Sequence, residues 1–213
     1  MCSSDLLRGR FDLFDIEVHG AELFDGNGAL LIGSHFGSFE VLRAAGRHMG
    51  HRRVAMANFE DNPRLRGILN AISPDVMLDI VPLGRPQSML ELAARLDEGV
   101  LVGMLADRTL GAEPTLRIPF LGSPAPFPTG PMRIAAALRR RAIFMVGIYR
   151  GGNRYEIRFE PLADFTGADA MSRSERDDAV RAAVAAYAKR LEDCARDAPG
   201  NWFNFHDFWS GAA

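Results

Sequence analysis

Ser34-His35-Phe36-Gly37-Ser38-Phe39-Glu40 sets an imidazole and a carboxylate five residues apart, directly after the apolar run Ala29-Leu30-Leu31-Ile32. A histidine held by a carboxylate can take the proton of an alcohol while that alcohol attacks a carbonyl carbon; the acid fixes the imidazole tautomer and stabilises the imidazolium. On a continuous α-helix, positions i and i+5 point about 140° apart once full turns are removed. His35 is therefore expected in a strand-to-helix turn, with Glu40 in the first turns of the helix that follows. There the N–H groups of Gly37, Ser38 and Phe39 would form a nest for an anion or oxyanion. The alternative is a satisfied turn histidine and a solvated first-turn acid favoured by the helix dipole.

A second chemical position follows the apolar run Val100–Leu105, whose end delivers Asp107 and Arg108. Open α/β sheets place function at the carboxyl ends of their strands. A helix cap or loop carboxylate is the plainer reading of Asp107. Arg108, Arg133 and Arg150 are isolated cations of the kind that commonly pair with local carboxylates.

The elements that must hold these groups can be read from periodicity. Strands are expected at Phe14–Val18, Ala29–Gly33, Arg53–Ala57, Asp79–Leu83 and Val100–Leu105, and in a hairpin of Ala142–Tyr149 with Tyr155–Glu160 across Gly151-Gly152-Asn153. Helices are expected at Glu40–Met49, Leu65–Ile72, Ser88–Leu96 and Thr129 to Arg140. Another, Ser174–Cys194, carries Val180, Val184, Tyr187, Leu191 and Cys194 on one face. Glu113–Pro128 holds five prolines and reads as an irregular surface loop. The expected fold is a single α/β domain over residues 1–213, with a central mixed, mostly parallel sheet flanked by helices on both faces.

Composition narrows the function classes. A formal charge of -2 offers no electrostatic case for nucleic acid, and Cys2 and Cys194 have no metal-ligand spacing. No apolar run reaches the length of a membrane-spanning helix. Met1-Cys2-Ser3-Ser4-Asp5-Leu6 resembles a translated sequencing adapter, so the chain is expected to be a fragment lacking an N-terminal membrane anchor. Five aromatics fall within Asn201–Trp209. Two arrangements fit them, packing back onto the domain or sitting at a lipid interface, and packing is the expectation.

Four blocks occur in order: Gly33–Glu40; Gly99–Arg108; Ile118-Pro119-Phe120-Leu121-Gly122 with Thr129-Gly130-Pro131 and Arg133; and Tyr149-Arg150, Tyr155 and Glu160-Pro161-Leu162. In this combination the chain resembles the bacterial lipid A biosynthesis acyltransferases (lauroyl and myristoyl transferases), within the wider glycerolipid acyltransferase superfamily. The resemblance implies transfer of a fatty acyl group from a thioester, on acyl carrier protein or coenzyme A, to a hydroxyl of a lipid acceptor. It implies work at the cytoplasmic face of the bacterial inner membrane, with no metal and no bound cofactor. It maps His35 to the catalytic base and Glu40 to its orienter. Asp107 maps to an acidic site residue, and Arg64 or Arg66 to a contact with a phosphorylated head group or carrier. Gly37, Ser38, Arg108 and Arg133 complete the expected substrate contacts. The alternatives are a glycerophosphate-type lysophospholipid acyltransferase and a non-catalytic, membrane-peripheral lipid-binding domain.

Overall fold

The computed structural model describes residues 11–38, 41, 54–58, 80–83, 85–109, 113–205 and 207–210. The helices expected at Glu40–Met49 and Leu65–Ile72 lie outside these residues, apart from Val41, which is helical and buried.

Among the described residues, seven strands form the central sheet, in the spatial order β1, β9, β8, β2, β5, β3, β4. They are β1 (Asp15–His19), β2 (Leu30–Gly33), β3 (Val54–Asn58), β4 (Ile80–Pro82), β5 (Leu101–Leu105), β8 (Arg141–Tyr149) and β9 (Arg154–Asp164). From β8 to β4 every pairing is parallel; β9 runs antiparallel to β8, and β1 is parallel to β9. The sheet is thus mixed and mostly parallel. β2 lies at its centre and is buried along its whole length, as expected of a strand covered on both faces.

Alternation along the strands sorts the core into two layers. Leu30 and Ile32 of β2 join Val102, Met104, Phe144 and Val146 on the face covered by the helices α1 (Pro86–Asp97), α2 (Gly130–Ala137) and α3 (Arg173–Asp197). Ala29 and Leu31 join Leu101, Ile143, Met145 and Ile157 on the opposite face, beneath Phe24 and Val41. The longest helix, α3, starts at a reciprocal capping box, with Ser172 Oγ accepting from Glu175 N–H and the Glu175 carboxylate accepting from Ser172 N–H. Its buried stripe contains Val180, Val184, Tyr187, Leu191 and Cys194, as the helical spacing predicts.

One expected loop is a strand pair. β6 (Thr115–Phe120) and β7 (Ser123–Pro128) form an antiparallel ribbon in the proline-rich segment. Its register explains the prolines: Pro124, Pro126 and Pro128 recur every second residue, so their missing N–H groups all fall on the outer edge. The ribbon turns at Leu121 and Gly122, both at positive φ (49° and 94°), the signature of a two-residue hairpin turn. Leu121 N–H is held by Glu192 Oε1 of α3 at 2.9 Å.

The aromatic carboxyl-terminal segment divides. Trp202, Phe208 and Trp209 gather around Phe120 of the ribbon, with ring centroids 5.2, 5.4 and 6.5 Å away. Phe203 and Phe205 remain exposed.

Candidate active site

β2 and β5 are parallel neighbours whose last residues, Gly33 and Leu105, are register partners. Two residues beyond each stand His35 and Asp107, so the shared exit brings together side chains that are 72 positions apart in sequence. His35 Nδ1 lies 2.9 Å from Asp107 Oδ1, and the His35 backbone N–H donates to Asp107 Oδ2, also at 2.9 Å. Trp202 Nε1 makes a longer contact, 3.5 Å, with the same Oδ2. The Asp107 side chain is 2% exposed and that of His35 33%. An ionised carboxylate only accepts, so the proton of a neutral His35 sits on Nδ1 and Nε2 carries the lone pair. Nε2 makes no hydrogen bond among the described residues.

The turn after His35 is pinned from two sides. Phe36 bridges antiparallel to Trp202, while Gly37 bridges parallel to Gly147 of β8. Gly37 sits at φ 66°, and a Cβ there would fall 1.7 Å from Gly147 O. Both the left-handed backbone and the close approach therefore demand glycine. Gly37 N–H donates to Asn201 O (2.7 Å) and Ser38 N–H to Gly147 O (2.9 Å), while Phe203 N–H donates to His35 O (2.8 Å). These bonds correct the expected oxyanion nest: the N–H groups of Gly37 and Ser38 are spent on carbonyls, and Phe39 lies outside the described residues. Ser38 Oγ instead accepts from Val41 N–H at 3.4 Å, as a helix-capping hydroxyl does.

Beneath the pair, the buried Tyr187 hydroxyl donates to Gly33 O at 2.8 Å, and Ala106 N–H donates to the same oxygen at 3.0 Å. Burial, reinforced by the nearby Asp107 charge, raises the Tyr187 pKa well above its ordinary value. Tyr187 thus stays a neutral donor that ties the end of β2 to α3.

Arg108 follows Asp107 and donates from Nη2 to Phe203 O at 3.1 Å, while its buried Nε has no hydrogen-bond partner among the described residues. Arg133 is engaged elsewhere, with Nη1 on Asp177 Oδ1 and Nε on Thr129 Oγ1, both at 3.2 Å. No contact joins it to His35 among the described residues. Glu40, Arg64 and Arg66 lie outside them. Sequence spacing assigned neither Trp202 nor Gly147 to the site; Trp202 was legible only as part of the aromatic segment Asn201–Trp209. The nearest sequence signal for Asp107 as the partner of His35 was that both follow a buried strand by two residues.

The family model for bacterial lipid A biosynthesis acyltransferases matches residues 1–210. The chain belongs to that family. It is an acyltransferase of lipid metabolism, and the four sequence blocks lie within the matched region. Among curated proteins no sequence match is found. A solved structure similar to the acyltransferase is that of the 1-acyl-sn-glycerophosphate (LPA) acyltransferase PlsC from Thermotoga maritima. The two share 14% identity over 89% of this chain and 78% of that one, with a TM-score of 0.49.

Proposed function

We propose that this acyltransferase moves a fatty acyl group from a thioester, on acyl carrier protein or coenzyme A, to a hydroxyl of a lipid A precursor, with His35 as general base. The observation that carries this reading is the His35–Asp107 bond, which leaves Nε2 as the basic nitrogen on the more exposed side of the pair. The acceptor hydroxyl gives its proton to Nε2 as its oxygen attacks the thioester carbon. Asp107 stabilises the imidazolium so formed. When the tetrahedral intermediate collapses, the C–S bond breaks and the proton on Nε2 passes to the departing sulfur. The products are the ester and the free thiol of the carrier.

Negative charge grows on the carbonyl oxygen during attack, and a fixed donor there is worth about 10² to 10³ in rate. With the Gly37 and Ser38 N–H groups occupied, we assign that role to the Arg108 guanidinium. We assign to Asp107 the orienting role that spacing and the family resemblance gave to Glu40, and propose Glu40 as a second carboxylate of the site. Arg64 and Arg66 are proposed contacts for a phosphorylated head group, by family resemblance. Arg133 is proposed as a more distant substrate contact, in competition with its Asp177 pair. By family resemblance, we propose the cytoplasmic face of the inner membrane as the reaction's location.

The test offers labelled acyl carrier protein and acyl coenzyme A in turn, each with lipid A precursors or with lysophosphatidic acid. Transfer to the lipid A precursor is expected. Transfer to lysophosphatidic acid alone would assign the glycerophosphate-type reaction instead, and no transfer with any pair would contradict the enzymatic reading.

A further inference from the structure

Within the carboxyl-terminal segment, two aromatic side chains behave differently from their neighbours. Phe203 is 44% exposed and Phe205 86%, with ring centroids 6.1 Å apart, although Trp202 and Phe208 beside them pack on Phe120. The backbone of Phe203 is fastened on both sides, its N–H to His35 O and its carbonyl to Arg108. The pair therefore projects from the rim of the His35 site on a tethered stretch of chain.

Arg133, Arg141, Arg150 and Arg190 each lie on a carboxylate. Arg117, like Arg154 and Arg176, makes no ion pair among the described residues; it donates to Pro124 O at 2.9 Å and to Trp209 O of this segment at 3.4 Å, while Arg108 donates to Phe203 O. The nearby Asp207 carboxylate accepts from Ser210 N–H at 3.3 Å. Two exposed rings on a segment that also holds the exposed, unpaired Arg117 match an anionic bilayer surface, where aromatic rings sit at head-group depth and an arginine draws on the lipid charge.

We propose that Phe203 and Phe205, with Arg117 on the same segment's Trp209 end, form a foot that docks this acyltransferase on an anionic lipid surface beside His35. The inference deepens the proposed reaction and rests on that reading for its purpose: a foot at this rim would bring a bilayer-borne acceptor hydroxyl to Nε2 without extracting the lipid.

Vesicle sedimentation tests the foot without turnover. The chain is expected to sediment with vesicles of phosphatidylethanolamine and phosphatidylglycerol, and more weakly with phosphatidylcholine alone. Phe205→Ser should weaken partitioning about tenfold on both, as expected for losing one inserted aromatic. Arg117→Gln should weaken it about fivefold on the anionic vesicles only. Phe205→Trp should retain binding and shift its indole emission to the blue when vesicles are added. The melting temperature of each variant should match wild type, because the altered side chains are exposed. Wild-type protein left in the supernatant with both vesicles, or Phe205→Ser binding as wild type does, would overturn the inference. So would vesicle-independent self-association lost in Phe205→Ser, which would assign the rings to a second copy of the chain. Vesicle binding by a protein that transfers no acyl group would sink the reaction and leave the foot standing.

Discussion

His35 Nδ1 stands 2.9 Å from the buried carboxylate of Asp107, because the strands that precede them end in register at Gly33 and Leu105. The pair is thus built by the sheet, with each residue two positions past a strand end. Parallel pairing fixes the two exits relative to one another, and the bonds from Asn201, Phe203 and Gly147 hold the His35 turn in place. The geometry rests on rigid elements, which is where catalytic groups are best held.

Gly37 is the most sensitive point of that turn outside the proposed base. Gly37→Ala places a methyl against Gly147 O and forces a left-handed backbone on a residue that resists it. Acyl transfer should fall by at least about tenfold, as a displaced turn misplaces the base. Activity close to wild type in a folded Gly37→Ala protein would show that the turn does not position His35.

Much of the scaffold was legible because its signals are local. The buried strand before His35 and the apolar strand before Asp107 are apolar runs that each begin just after a glycine, Gly28 and Gly99, and the α3 stripe repeats at helical spacing. The ribbon of β6 and β7 was not legible, since prolines usually mark a loop; the informative feature was their two-residue spacing. The partner of His35 was hidden for a different reason. Spacing reports neighbours along the chain, whereas Asp107 reaches His35 through strand pairing across 72 residues. Trp202 and Asn201 reach the site from the carboxyl-terminal end by the same kind of long-range contact.

Cys194 provides a chemical check on the packing of α3. Burial pushes its thiol up to about 11, above the ordinary value of 9.0. Because the folded pKa is raised, the stability linked to this group is present in full below about pH 9 and is lost as pH rises through 11. In a Cys2→Ser background, a thiol reagent at pH 8 should label Cys194 only after denaturation. Rapid labelling of the native protein would contradict the packing of α3 against the sheet.

The capping box at Ser172 is a stability element remote from the chemistry. Ser172→Ala leaves the Glu175 N–H without its acceptor and should cost about 1 kcal/mol. In a domain of this size that corresponds to a fall in melting temperature of about 2–4 °C. Calorimetry should detect it with kcat unchanged, and no thermal shift would mean that the box does not hold the start of α3.

Tyr187 couples α3 to the end of β2 through Gly33 O. Tyr187→Phe should destabilise the protein by about 1 kcal/mol. The pH–rate profile should keep its shape, because the tyrosine titrates well above the ordinary range. A displaced acid limb of that profile would place Tyr187 in the proton path.

The most direct test of the account compares kcat for Asp107→Asn and Glu40→Gln in acyl transfer from the thioester donor to the lipid acceptor. In Asp107→Asn the amide keeps the shape of the carboxylate but no longer fixes the Nδ1–H tautomer or stabilises the imidazolium. A loss of about 10² to 10⁴ in kcat is expected for Asp107→Asn, comparable with His35→Ala, and a smaller loss for Glu40→Gln. Wild-type turnover by folded Asp107→Asn, with activity abolished by Glu40→Gln, would contradict it.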